Sequence, residues 1–104
     1  MKRTRLTILT LAIASISSPA VFADGGKLAQ EKGCLSCHDI TAKKIGPAFQ
    51  EVSKKYKGDA NAEKALAGKI KAGGSGVWGA IPMPPQSTLS DEDAQALVKW
   101  VMSQ

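Results

Sequence analysis

Histidine occurs once in the 104-residue sequence, cysteine twice and arginine twice, and only five residues are aromatic. Both arginines lie within the first five positions, so the rest of the chain has no arginine and no continuous basic element. That excludes a nucleic-acid binder despite the net charge of +5. The longest apolar run, residues 6–16, has 11 residues and breaks at Ser15, Ser17, Ser18 and Pro19. It falls well short of the ~20 residues needed to span a bilayer. Two cysteines are too few for a disulfide scaffold. With one histidine and no second pair they also fall short of a closed zinc site. The glycine-rich stretch Gly73-Gly74-Ser75-Gly76 lacks the Lys-Ser/Thr that completes a phosphate cradle and does not open a helix.

What is present begins with a secretory signal. Lys2, Arg3 and Arg5 form a basic start, the apolar run follows, and Val21-Phe22-Ala23 supplies small residues at minus three and minus one. Removal of residues 1–23 leaves residues 24–104, 81 residues with 11 lysines and all 9 acids, a net +2. No cysteine follows the apolar run, so lipid attachment has no acceptor there. The remaining chain has few large apolar residues among many alanines and glycines, and exported domains this small usually gain a disulfide, a metal or a bound group.

The cysteines identify the addition. Cys34-Leu35-Ser36-Cys37-His38 joins both cysteines and the single histidine in one pentapeptide. Random placement produces that arrangement about once in 3,000 trials. Two thiols three residues apart can add to the two vinyl groups on one porphyrin edge, and the next residue turns its imidazole toward the iron. A haem-free exported CxxC thiol oxidoreductase is the alternative, but it leaves His38 unexplained and adds nothing to the core. The second axial face requires another ligand. Met83 and Met102 are the candidates, with a deprotonated lysine a weaker one. Met102 extends the apolar face of the last helix. Met83 lies in Ile81-Pro82-Met83-Pro84-Pro85, where prolines forbid a helix and stiffen the backbone to hold one thioether in place.

The pattern elsewhere is helical. Helices are expected over residues 24–32, ended by Gly33; 48–57, with Phe49, Val52 and Tyr56 inward; and 61–72, capped by Asn61, with Leu66 and Ile70 inward. A last helix begins after Ser90 as N-cap, and its Ala94, Leu97, Val98 and Val101 form a face that calls for a partner, most economically the first helix. Between the third and fourth helices lies a 17-residue loop, 73–89, long enough to require a functional reason, in which Trp78 offers a flat apolar wall with an N–H donor. The expected fold is all-α, with four to five helices around one covalently attached haem.

Residues 33–38, Ile45-Gly46-Pro47-Ala48, residues 66–73, Gly76-Val77-Trp78-Gly79 and the proline-flanked Met83, followed by a capped helix containing Trp100, resemble the small bacterial class I cytochromes c of the cytochrome c-551 type. The resemblance spans essentially all of residues 24–104 and implies the small cytochrome c fold. It implies Cys34 and Cys37 as thioether attachment points of one haem c, His38 as proximal and Met83 as distal iron ligand, and a hydrogen bond from the His38 imidazole to the Pro47 carbonyl. It also implies that Trp78 and Lys69 hydrogen-bond a haem propionate; Lys69 is otherwise a solvated lysine on a helix face. Several relatives carry an asparagine that contacts the methionine sulfur where this chain has Gln86, one methylene longer, so the resemblance assigns Gln86 no role and leaves the methionine orientation open.

Iron ligated on both axial faces has no open position for oxygen or peroxide, which favours one-electron exchange over catalysis. The function expected is that of a soluble, monomeric periplasmic electron carrier and not an enzyme, shuttling between a quinol-oxidising complex and a terminal reductase, oxidase or reaction centre. A haem gas sensor or peroxidase-like enzyme with a dissociable Met83 is the other haem reading. Charge is uneven: residues 24–42 sum to −1, residues 43–72 to +5 and residues 73–104 to −2. Lys43, Lys44, Lys54, Lys55 and Lys57 would steer redox partners bearing acidic patches into a transient interface, if they neighbour the haem edge. No stable membrane insertion is expected.

Overall fold

The computed structural model describes residues 9–16 and 24–104. Residues 9–16 have no regular secondary structure and leave Leu9, Leu11, Ile13 and Ile16 exposed. The rest of the expected signal, with its basic start and the cleavage position after Ala23, lies outside the described residues. Four α-helices and one short 3-10 turn follow: α1 (Gly25–Glu31), the turn (Cys34–Ser36), α2 (Phe49–Tyr56), α3 (Ala62–Ala72) and α4 (Asp91–Met102). The all-α expectation holds among the described residues, with an isolated two-residue bridge between Gly74 and Met83 as the β-type pairing.

The helix ends follow from local chemistry. The Asp24 carboxylate accepts from the Lys27 amide at 3.2 Å and starts α1. Gly33, at φ 74°, takes the left-handed position that ends it. Ser90 Oγ accepts from the Asp93 amide at 3.1 Å, and Asp91, Glu92 and Asp93 complement the positive end of α4. Asn61 behaves differently from expectation. It occupies the N-cap position of α3 with helical dihedrals and makes no side-chain cap; instead the Asp59 carboxylate accepts from the Asn61 amide at 2.9 Å.

Helix α4 is the hub against which α1, α2 and α3 all pack. Ala94, Leu97 and Val98 on its apolar face join Leu28 and Ala29 of α1 and Ala67 of α3 in one buried cluster, so the expected pairing of first and last helices is present. Gly25 makes that pairing close, because a Cβ there would fall 2.4 Å from the Trp100 Cβ. A second cluster joins Phe49 and Val52 of α2 to Val101. Leu89, assigned by sequence to the loop, is buried in the first cluster and anchors the loop's end. No helix among the described residues is long and apolar enough to cross a membrane.

Candidate functional site

The turn after Gly33 carries the pentapeptide. The Cys37 and His38 amides both donate to the Cys34 carbonyl, at 3.2 and 3.0 Å, so the two thiols and the imidazole issue from one turn of backbone. Residues 46–50 are laid against this turn. The Gly46 amide donates to the Cys37 carbonyl at 2.7 Å, and the Phe49 and Gln50 amides donate to the carbonyls of Asp39 and Ile40 at 2.9 and 3.0 Å. Two of the free N–H groups that open α2 are therefore satisfied by the residues just after His38, which explains why α2 needs no side-chain cap. The His38 Nδ1 lies 2.7 Å from the Pro47 carbonyl. Because a carbonyl only accepts, Nδ1 donates, which in the neutral tautomer puts the lone pair on Nε2.

Opposite this turn runs the long loop. Gly73, at φ 69°, ends α3, and Gly74 exchanges two backbone hydrogen bonds with Met83, at 3.0 and 2.9 Å. Gly73 has no room for a side chain: a Cβ would fall 2.5 Å from the Met83 carbonyl oxygen and 2.8 Å from the Pro85 nitrogen. The Gln86 amide donates to the Ile70 carbonyl at 3.0 Å, fastening the far side of the proline segment to α3. Lys69 bends toward the loop, since a Cβ on Gly74 would fall 2.7 Å from its Nζ. Lys55, on α2, places its ammonium 5.6 Å from the centre of the Trp78 ring and 5.9 Å from that of Tyr56.

Between turn and loop is a cavity of about 450 Å³ with predominantly apolar walls. Cys34, Cys37, His38, Pro47, Lys69, Trp78 and Met83 all line it, as do Lys43 and Lys44, whereas Lys54, Lys55, Lys57 and Gln86 do not. Met102 lies elsewhere, against the α1–α4 core. Cys34 and Cys37 are free, half-buried thiols. Burial pushes the Cys34 thiol above its ordinary value; a backbone hydrogen bond opposes this in part, and the neighbouring Cys37 adds to it. Sequence reasoning missed Gly46 and Phe49 as neighbours of the imidazole, and Gly74 as the partner of Met83. The adjacency of Gly46 to Pro47 was the available signal for the first.

A helical chain with this turn on one wall of an apolar cavity and a proline-held methionine on another has the layout of a small c-type cytochrome. The family model described as Cytochrome c matches residues 22–104, and the chain belongs to the cytochrome c family. A cytochrome c-552 of Hydrogenobacter thermophilus is 48% identical over 93 residues, spanning 89% of this chain and 94% of the relative. A cytochrome c-551 of Pseudomonas aeruginosa is 46% identical over 95 residues, 90% of each chain. The crystal structure of wild-type Nitrosomonas europaea cytochrome c552 superposes with a TM-score of 0.72 at 46% identity, covering 75% of this chain and 96% of that one. The protein is thus a small c-type cytochrome, an electron carrier with covalently bound haem c. The cavity fits that group in its chemistry: apolar walls, two free thiols on one turn and an imidazole whose Nε2 is unengaged.

Proposed function

We propose that Cys34 and Cys37 hold the haem by thioether bonds, that His38 and Met83 ligate its iron, and that residues 24–104 act as a soluble, monomeric one-electron shuttle in the periplasm after residues 1–23 are removed. The observation that carries this reading is the convergence of the seven sequence-predicted residues on a single apolar cavity. When bound, the haem supplies a reversible ferric/ferrous couple. The chain's own residues tune and protect it. Pro47 accepts from Nδ1 of His38, which orients the ring and leaves Nε2 as the nitrogen for the iron, while the Met83 thioether favours the ferrous state. The apolar walls act in the same direction, because a low-dielectric pocket disfavours the extra charge of ferric haem. With His38 and Met83 both holding the iron, no coordination position would be left for a substrate, and the site would exchange electrons without catalysing a reaction.

Trp78 and Lys69 line the same cavity and are suited to hold propionates. Lys43 and Lys44 also line it, which supports a basic rim that steers partners with acidic patches. Lys44 is partly committed, since its Nζ donates to the Leu35 carbonyl at 3.1 Å. The carrier would accept electrons from a quinol-oxidising complex and deliver them to a terminal reductase, oxidase or reaction centre. The raised Cys34 thiol counts against the thiol-oxidoreductase alternative, whose attacking cysteine needs a lowered pKa.

A visible spectrum of the exported protein tests the reading. Split α and β bands on reduction, haem that resists acid-acetone extraction and the weak far-red ferric band of a methionine–iron bond are expected. Rapid carbon monoxide binding by native ferrous protein would overturn Met83 ligation and favour the gas-sensor reading. Electron-transfer rates indifferent to ionic strength would overturn the steering role of the lysines.

A further inference from the structure

The His38 imidazole meets three groups, all from residues 46–49. Besides the hydrogen bond to Pro47, the Phe49 ring stacks on it with centroids 5.0 Å apart and planes inclined by 19°. Gly46 meets it as well: a Cβ built there would lie 2.5 Å from Cε1, 2.9 Å from Nδ1 and 3.0 Å from Nε2. Such similar distances arise over the face of the ring, because an atom approaching Cε1 in the ring plane stays much farther from both nitrogens than from the carbon. Gly46 does not have a positive φ, so what this position requires is the absence of a side chain and not an unusual backbone.

The hydrogen bond alone would leave the ring loosely set. Hydrogen bonds tolerate tens of degrees of misalignment, and the torsion about an imidazole's Cβ–Cγ bond is broad. Stacking and close packing against the ring face are less forgiving. Phe49 is itself held firmly. It is 5% exposed, meets Trp100 edge-on at 5.2 Å, and Trp100 is in turn wedged against Gly25. The Gly46 and Phe49 amides are bonded to the carbonyls of Cys37 and Asp39, the two residues flanking His38, so the clamp and the ring share one frame.

We propose that Gly46 and Phe49 clamp the His38 imidazole in one rotational setting, with Phe49 a positioning residue that fixes the direction in which the ring's π system meets the iron. The proposal rests on His38 being an iron ligand.

The test uses the ferric holoprotein with cyanide bound in place of Met83. Cyanide is axially symmetric, so the plane of His38 becomes the axial source of asymmetry, and the proton shifts of the four haem methyls report it. Phe49→Leu is expected to shift these resonances and change their spread, and Phe49→Tyr to keep the wild-type pattern. Tyr56→Leu, which loosens the same cluster from outside the cavity lining, is expected to leave the pattern unchanged. Gly46→Ala, where the added methyl drives into the ring, should give the largest shift. A Phe49→Leu protein that is less stable but has wild-type shifts would overturn the clamp, as would Tyr56→Leu shifts as large as those of Phe49→Leu. Should the leucine variant not fold, wild-type shifts in Gly46→Ala would overturn it alone. Absence of hyperfine-shifted His38 resonances in the wild-type adduct would instead overturn His38 ligation, and the clamp with it.

Discussion

The two walls of the cavity are built differently. On the wall that carries His38, residues 46–52 are bonded to residues 37–40 by three backbone hydrogen bonds, and Ala48, Phe49 and Val52 are buried. On the wall that carries Met83, Gly73, Gly74, Gly76 and Gly79 all adopt positive φ, and the segment is fastened by the two Gly74–Met83 backbone bonds and the one from the Gln86 amide to Ile70. The first wall is part of the hydrophobic core; the second is a strap fastened at a few points. The imidazole's place is therefore tied to folding itself, whereas the methionine's place depends on a small set of local contacts whose loss the fold should survive.

The comparison breaks most completely if the turn is changed. Replacing Cys34 and Cys37 together with alanine removes both thioether sites, and the apolar cavity then faces water without its covalent filling. Haem that dissociates on acid-acetone extraction and a loss of helical circular dichroism on haem removal are expected. Met83→Ala, on the strap, should do far less to the fold: haem stays attached, the far-red ferric band disappears and carbon monoxide binds. If Met83→Ala unfolds the protein as thoroughly as the double cysteine variant, the two walls are not energetically distinct.

Next in size is Gly73→Ala. Its backbone is left-handed at φ 69° and the space for a methyl is occupied by the Met83 carbonyl, so the cost exceeds that of an ordinary unfavourable dihedral, about 1–3 kcal/mol. Gly76, at φ 109° with open space around it, meets the dihedral penalty alone. Gly73→Ala should weaken the methionine–iron band and lower the midpoint of thermal unfolding more than Gly76→Ala does.

The same contrast explains which features were legible in the sequence. The pentapeptide, the proline-flanked Met83 and the four helices could be read because each depends on neighbours within a few residues: thiol spacing, forbidden helical dihedrals, apolar periodicity. The Gly74–Met83 bridge joins residues nine apart within an irregular loop and has no periodic signature. Leu89 reads as loop by its surroundings and is core because the strap's end folds back under α4. Asn61 has the composition of a cap, but with the Asp59 carboxylate on its amide its backbone is already helical and not extended, and its side chain makes no cap bond. Phe49 was correctly assigned to an inward helix face. That its ring stacks on His38 depends on how residues 46–50 are laid along residues 37–40, which no local pattern specifies.

Lys55 offers a finer adjustment of the strap. Its ammonium lies over the Trp78 ring and links α2, on the rigid wall, to the middle of the loop. At an exposed site such a contact is worth about 0.5–1 kcal/mol. Lys55→Gln should speed amide hydrogen exchange across residues 74–83 by a few-fold while leaving exchange in α2 and α4 unchanged. Uniform acceleration throughout the domain would mean that the contact supports the whole fold and not the strap.

The smallest effect lies at the strap's base, where Lys71 of α3 is paired with Asp91 of α4 and draws together the two ends of the loop. The hydrogen bond and charge of Lys71 hold the Asp91 carboxyl below its ordinary value. A carboxylate whose folded-state pKa is depressed stabilises the fold above its unfolded pKa, about 3.9, and loses that contribution as pH falls through the folded value. The pair is solvent-exposed, so its contribution is small and screened by salt. Asp91→Asn should therefore lower the unfolding midpoint slightly at pH 7 and low ionic strength, with the difference from wild type fading below pH 4 and in high salt. Because Asp91 also faces the positive end of α4, Lys71→Gln separates the two causes: it removes the pair and keeps the helix-end charge. A pH-dependent difference in the asparagine variant that is absent from the glutamine variant would assign the effect to the helix end, and the strap's base would then be held by Leu89 and the Gln86 amide without help from charge.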